Sequence, residues 1–394
     1  LLLLKMQAEI RDRLSSDLTL PELFQNNTLE GLSSRIDASG ANHSVQIDWE
    51  AETALHSDIL STVGATYPPK DTLKPKTVLL TGATGFLGRA LCKKLSASPG
   101  IAKIECLAVR NPKTAQKESN KIFFHAGDLR SPFLGLSEKK AKMIFESADL
   151  IIHNGADVSH MKSYQSLRRP NVESTKELVR LAAKHKIPFH FISTAGVAQL
   201  SGKESYPEVS VAAYPPPTNG IEGYVASKWA SERFLERVAA ETGMPVWIHR
   251  PTSVTGDGTP STDIVHTVLR YSRLLKSVPE LPGWRGYFDF VHVDSVALAV
   301  VEAALANDSS MAEDPVYVHH CGETVIPIQQ SRVFLETELG EPVSTTSISD
   351  WVAAASAEGM NPLVAAFMNM FVDGVAHSLV MPRLMKGDSG AGNV

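Results

Sequence analysis

The run Val78-Leu79-Leu80-Thr81-Gly82-Ala83-Thr84-Gly85-Phe86-Leu87-Gly88 constrains this chain more than any other segment. A short β-rich stretch, Thr77–Thr81, leads straight into three glycines at three-residue spacing, and a helical pattern follows over Phe86–Ser96. The first glycine permits a tight turn, the second lets backbone approach a ligand, and the third lets strand and helix pack closely. The free N–H groups at the helix start then favour a pyrophosphate. A glycine pattern alone is weak, and the strand before it and helix after it make it specific. Gly82, Thr84, Gly85, Phe86, Leu87 and Gly88 are therefore expected to cradle a dinucleotide.

The same alternation continues downstream. Ile104–Val109, Leu150–His153, Phe189–Ser193 and Met244–His249 read as short apolar strands, with helical stretches such as Val172–Lys186 between them. Strands alternating with helices predict an α/β fold, a Rossmann-type doubly wound parallel sheet, over residues 76–257. Beyond Asp257 the alternation weakens, and Asp263–Leu275, Ser295–Ala306, Gln329–Leu339 and Pro362–Ala376 carry helical spacing. Residues 258–394 are read as a smaller, mainly helical substrate lobe with some elements returning to the sheet. Before the sheet, residues 1–38 show helical spacing over Leu1–Leu14, and again from Thr28, a candidate cap, to Ile36. Residues 39–75 are polar, contain Pro68, Pro69 and Pro75, and read as a linker.

Composition excludes several classes of function. The net charge of −5 offers nothing to nucleic acid or an anionic membrane. Leu1–Leu4 is too short for a signal or a span, and charged residues follow at once. Cys92, Cys106 and Cys321 are far apart, so no disulfide framework and no metal site are expected, and the expected compartment is the cytoplasm. The chain lacks an initiator methionine and reads as part of something longer.

Where such strands end, sites form. Arg110 closes the second strand; an arginine there suits a 2′-phosphate and favours NADPH over NADH, and Lys113 is placed to assist. Asp128 and Leu129 end the next strand, beside an adenine edge. Asn154, Gly155 and Ala156 end the following one, beside pyrophosphate and ribose. Tyr224 and Lys228 stand at i and i+4 on one helix face. Lys228 is expected to lower the phenol's pKa, and Tyr224 to give a proton to a developing oxyanion. Thr194, with Ser193 as the alternative, is expected to hold the substrate carbonyl.

The segments TGATGFLG, HNGADVSH, FISTAGV and GYVASKWASE resemble the thioester reductase branch of the extended short-chain dehydrogenases. These are terminal release domains of nonribosomal peptide synthetases and of fungal polyketide–peptide hybrids. The likeness is close from about Lys76 to Val301. The opening segment resembles the end of a peptidyl carrier domain, beginning just past the point of the phosphopantetheine serine. The resemblance implies a carrier-bound polyketide-aminoacyl thioester as substrate and the upstream carrier as partner. It also implies NADPH as cofactor, Arg110 as its 2′-phosphate contact, and Thr194, Tyr224 and Lys228 as the triad. One departure stands out, since many members have a valine-asparagine step where this chain has Asp157-Val158-Ser159-His160. Reduction to an aldehyde or alcohol is the leading expectation. The alternative is a redox-neutral Dieckmann closure to a tetramic acid, with Asp157 or His160 as base and Tyr224 with Thr194 at the oxyanion. A catalytically silent docking domain is a third.

Overall fold

A computed structural model of the chain describes residues 47–61, 74–113, 119–217, 223–306, 314–322, 324–372 and 378–386. It also describes Ala115 and, before residue 38, the helix Leu29–Asp37 and scattered positions. Seven parallel strands form the central sheet: β1 (Lys76–Thr81), β2 (Ile101–Val109), β3 (Ile122–Ala126), β4 (Leu150–His153), β5 (Phe189–Ile192), β6 (Val246–Pro251) and β7 (Val316–His320). Their order is β7-β6-β5-β4-β1-β2-β3. The strand order reverses between β1 and β4, and the crevice at their carboxyl ends is where a ligand fits in such sheets.

Both faces of the sheet are covered, which is why its strands are nearly continuous apolar runs. Val78, Leu80, Ile104 and Ile152 face one core, with Leu91 and Leu95 of the helix α1 (Phe86–Ala97). Leu79, Leu107, Ile151, Phe189 and Ile248 face the other, with Phe234 and Leu235 of the helix α2 (Gly223–Thr242). Two late segments return to this body. β7 extends the sheet beside β6, and the helix Val293–Leu305 packs Val296 and Val300 into the first core.

The C-terminal lobe carries more strand than its helical spacing suggested. Trp284–His292 pairs with Thr324–Pro327, Leu379–Met381 and Ser253–Thr255, and each of these partners is three or four residues long. Strands that short leave little period to read. Around them pack the expected helices, observed as Ile264–Leu275, Ser331–Leu339 and Pro362–Val372, on a core that includes Trp284 and Trp351.

Thr28 caps its helix as expected, its hydroxyl accepting the Gly31 N–H at 3.0 Å. Much of the Leu1–Leu14 stretch, like 39–46 and 62–73 of the linker, lies outside the described residues. The middle of that linker is a docked strap. Asp48 caps Trp49–Glu52, and the Trp49 ring meets Tyr164 and Trp229 edge-on at 4.9 and 5.3 Å. Ile59 is buried in the sheet core, and Glu52 pairs with Arg168 at 2.9 Å. A polar composition concealed one tryptophan and one isoleucine that carry the docking. Among the described residues, no helix is long and apolar enough to cross a membrane, and no His, Cys, Asp and Glu side chains group to hold a metal.

Candidate active site

The glycine loop is shaped by close backbone contact. Gly82 sits at φ +69°, and a Cβ there would lie 2.7 Å from both N and Cα of Gly155. A Cβ on Gly88 would lie 1.9 Å from the Gly82 carbonyl oxygen, so the helix start packs directly on the turn. The Gly155 N–H donates to Thr81 Oγ1 at 2.9 Å, and Asn154 Nδ2 donates to the Gly82 carbonyl at 3.2 Å. Behind them a buried chain runs from Thr81 Oγ1 to His153 Nδ1 (2.7 Å) and from His153 Nε2 to Thr175 Oγ1 (3.1 Å). Burial pushes the His153 pKa down to about 3, so this link is a neutral imidazole.

In front of the loop opens a cavity of about 990 Å³. Every residue expected to touch the dinucleotide lines it except Gly88, which lies behind the turn, while Lys113 stands outside it. Arg110 is exposed at its rim and makes no hydrogen bond or ion pair among the described residues. Two further arginines line the same wall, Arg89 on the first turn of α1 and Arg130 after β3. Arg89 donates to the Thr84 carbonyl at 3.0 Å. Its position directly after the third glycine was the available signal, and the glycine pattern overshadowed it.

The same cavity reaches the Tyr224 end of α2. A Cβ on Gly223 would lie 2.2 Å from the Lys162 carbonyl oxygen, so the helix start is wedged against the 157–163 loop. Lys228 Nζ donates to the Ile192 carbonyl at 2.7 Å and lies 6.0 Å from the Tyr224 ring centre. Burial brings the Lys228 pKa down to about 7, partly opposed by Glu232 one turn on. Contrary to the sequence expectation, Tyr224 is not lowered: burial raises its pKa above the ordinary phenol value. Its proton is therefore held at neutral pH, which suits an acid.

Thr194 and Ser193 both line the cavity and differ in what their hydroxyls do. Thr194 lines the cavity, its Oγ1 accepting the Gly196 N–H at 3.1 Å. The buried Ser193 hydroxyl donates instead to Glu232, which pairs with Arg250 at 2.7 Å with both side chains fully buried. Ser193 is thus committed to the core. Asp157 is committed as well. Its carboxylate takes Lys162 at 2.7 Å and Arg130 at 3.4 Å, so it is no free base. His160 is the departure residue that reaches the phenol, its ring 5.1 Å from that of Tyr224 and edge-on. One face is open to the cavity, yet the protein atoms around it push its pKa down to about 4.

Residues 80–300 match the NAD-binding family described as male sterility protein. The chain belongs to that NAD-binding family. A polyketide synthase-nonribosomal peptide synthetase of Aspergillus clavatus is 42% identical over 99% of this chain, which spans 10% of that protein. A hybrid synthetase of Aspergillus japonicus is 41% identical over 97% of the chain, again 10% of its own length. The chain thus spans about a tenth of the curated relatives it matches. Among solved structures, the terminal R domain of the myxalamid PKS-NRPS pathway superposes with a TM-score of 0.67 at 26% identity, covering 88% of this chain and 92% of that one. A reductase domain of a Mycobacterium tuberculosis nonribosomal peptide synthetase shares the fold, with a TM-score of 0.64 at 22% identity over 86% and 89% of the two chains.

Two residues of this NAD-binding domain escaped the sequence reading. Asn171 lies in a π-type turn, Arg168–Glu173, directly after Pro170. Its Nδ2 donates to the Asp157 carbonyl at 3.0 Å and to Ser227 Oγ at 2.9 Å, and its Oδ1 accepts the Asp157 N–H at 2.8 Å. Ser227 in turn donates to the Tyr224 carbonyl at 2.7 Å, so Asn171 ties the 157–160 loop to α2. A proline reads as a helix break, which concealed the turn it creates. Asp289, on the lobe strand Trp284–His292, is 8% exposed and lines the cavity between apolar walls that include Phe288 and Phe367. Its surroundings come from segments far apart in sequence, so no local pattern marked it.

Proposed function

We propose that this chain is a terminal release domain that reduces a carrier-bound thioester to an aldehyde with NADPH. The observation that carries this reading is the single cavity joining the glycine cradle to Tyr224, Thr194 and Lys228. The residues present fit the cofactor. The cradle is floored by backbone where any Cβ at Gly82 or Gly88 would collide, and Arg110 stands uncompensated at the rim. Gly82, Gly85 and the start of α1 would hold the pyrophosphate and Arg110 the 2′-phosphate. When bound, NADPH supplies hydride to the thioester carbonyl. Thr194 and Tyr224 supply hydrogen bonds to the carbonyl oxygen, and Tyr224 gives its proton to the oxyanion. The resulting hemithioacetal collapses to aldehyde and free phosphopantetheine thiol. The upstream carrier domain is the proposed partner, delivering an acyl-aminoacyl chain into the lobe half of the cavity.

A second reading is a redox-neutral Dieckmann closure, and one observation favours it. His160 has one face open to the cavity and its ring beside Tyr224, which puts an imidazole where a base removing a proton between two carbonyls would stand. Asp157 does not support it, being paired with Lys162 and Arg130. One experiment decides. The full chain is given an acyl-aminoacyl pantetheine thioester with and without NADPH. Loss of reduced-nicotinamide absorbance with matching aldehyde supports reduction, and a tetramic acid formed without cofactor overturns it.

A further inference from the structure

Asp289 is a buried carboxylate that the reaction above does not use. Its Oδ1 accepts the Thr252 hydroxyl at 3.0 Å and the Gly322 N–H at 2.7 Å. Oδ2 receives no hydrogen bond or ion pair among the described residues, although the side chain lies in the cavity wall. Burial raises its pKa, with Lys386 and Arg383 opposing from a distance. With Oδ1 engaged twice, Oδ2 is the carboxylate oxygen left open to the cavity, where a ligand donor can reach it. Phe288, Phe367, Met370, Phe371 and Met381 make much of the surrounding wall apolar, and the lobe's other lining carboxylate, Asp263, caps a helix by accepting the His266 N–H at 2.7 Å.

The position follows from strand register. Ile192 on β5 lies opposite His249 on β6, so Thr194 and Thr252 leave adjacent strand ends. Phe290 lies opposite Ser253, which sets Asp289 across from Thr252, where their side chains bond. Two strand spacings therefore separate the backbones of Asp289 and Thr194, roughly 10 Å. In an extended acyl-aminoacyl thioester the amide nitrogen is two bonds from the reacting carbon. A carbonyl oxygen on Thr194 and an amide N–H on a carboxylate would then lie about 8–9 Å apart at their protein atoms.

We propose that Asp289 Oδ2 accepts the amide N–H of an acyl-aminoacyl chain. The cavity thereby selects secondary amides over simple acyl chains and over N-alkylated amides. This rests on the release reading for the identity of the chain, and its test does not depend on turnover. Unreactive pantetheine analogues, with nitrogen in place of the thioester sulfur, are titrated calorimetrically into the full chain. One carries an N-acyl-aminoacyl group, and the other is identical except for an N-methylated acyl amide. The wild-type protein is expected to bind the secondary amide about 10–100-fold more tightly, the range for a hydrogen bond to a charged group. In Asp289→Asn, the amide oxygen keeps the Oδ1 bonds and turns an NH₂ toward the ligand, so the preference should vanish. Equal affinities in the wild type overturn the proposal with no variant needed, and so does a folded Asp289→Asn that keeps the full preference. Should the preference appear while NADPH is never consumed, the reductase reading fails and the anchor stands.

Discussion

Gly82→Ala tests whether the loop is built as described. The native φ of +69° is a left-handed conformation that costs a residue with a Cβ about 1–2 kcal/mol. The added Cβ would also lie 2.7 Å from two backbone atoms of Gly155 and 2.9 Å from the Asn154 carbonyl carbon. Backbone held in β4 and its exit cannot yield as a side-chain tip can, so overpacking adds roughly another 1–3 kcal/mol. The sum, about 2–5 kcal/mol, should lower the melting temperature by about 10 °C. A carboxylate at Gly82 would unseat the loop in the same way, and would not serve as a clean block on pyrophosphate. Gly85→Ala is the sharper probe of binding. Its φ is ordinary, at −74°, and its Cβ would meet only the Gly82 oxygen, at 3.2 Å. It should melt within about 3 °C of wild type while weakening NADPH at least about tenfold, because backbone approach to the pyrophosphate is lost. The assays are differential scanning calorimetry and a fluorescence titration of NADPH. A Gly82→Ala protein that melts with the wild type would refute the close β1–β4 contact. A Gly85→Ala protein with unchanged NADPH affinity would refute the cradle.

Further outcomes are expected. Tyr224→Phe should retain NADPH affinity and lower the release rate about 10²–10⁴-fold, measured by single turnover; a near-normal rate removes Tyr224 as the acid. Arg110→Ala should weaken NADPH far more than NADH in paired titrations, since only NADPH carries the 2′-phosphate; equal losses would remove that assignment. Stability should fall in acid. His153, His190 and His319 are buried, with pKa values pushed down to about 3, and His320 to about 4. Each is protonated more readily in the unfolded chain, so stability is lost as pH falls from about 6.5 toward 4, and His153→Gln should flatten that slope in urea melts. Lys228 works over a different range. With its folded pKa near 7 and an unfolded value near 10.5, the unfolded state binds more protons between them, so stability should rise from pH 7 to 10. Lys228→Met should remove that rise.

What the sequence disclosed was whatever local spacing encodes. The strand-turn-helix at Gly82, the four-residue step from Tyr224 to Lys228, and strand ends at Arg110 and Asn154 are local patterns, and the structure places all of them on one cavity. Distant pairing decided the rest. Asp157 reads as a free ionisable group until Arg130 and Lys162 meet it. Ser193 and Thr194 are equivalent on paper, and only Glu232, on another element, takes one of them away. Tyr224 illustrates a third kind of gap. A neighbouring lysine lowers a phenol's pKa when charge dominates, but here the lysine is aimed at the Ile192 carbonyl and burial dominates instead. The Trp49 strap was hidden because residue composition describes a segment, whereas docking depends on one side chain finding a socket.

The helix α2 shows how chemistry and scaffold share one surface. Tyr224, Lys228, Glu232 and Glu236 recur every four residues, which on most helices would mark a solvated face. Lys228, Glu232 and Glu236 are buried, and each is spent on a different neighbour. Lys228 holds the Ile192 carbonyl, Glu232 holds Ser193 and Arg250, and Glu236 takes the Tyr317 hydroxyl at 2.8 Å and the Val211 N–H at 3.2 Å. Arg250 lies over the Tyr317 ring at 4.7 Å, which closes the set against β7. The stripe therefore fixes the helix on the ends of β5, β6 and β7. A shift of one residue along it would unpair several buried charges at once, each expensive to leave alone. Tyr224 lines the cavity together with Lys228 and is the member of the stripe with no buried charge to satisfy, so the register that satisfies the three charges also sets where the phenol points. The placement of the Tyr224 phenol is thus supplied by pairing at Glu232 and Glu236, away from the cavity itself.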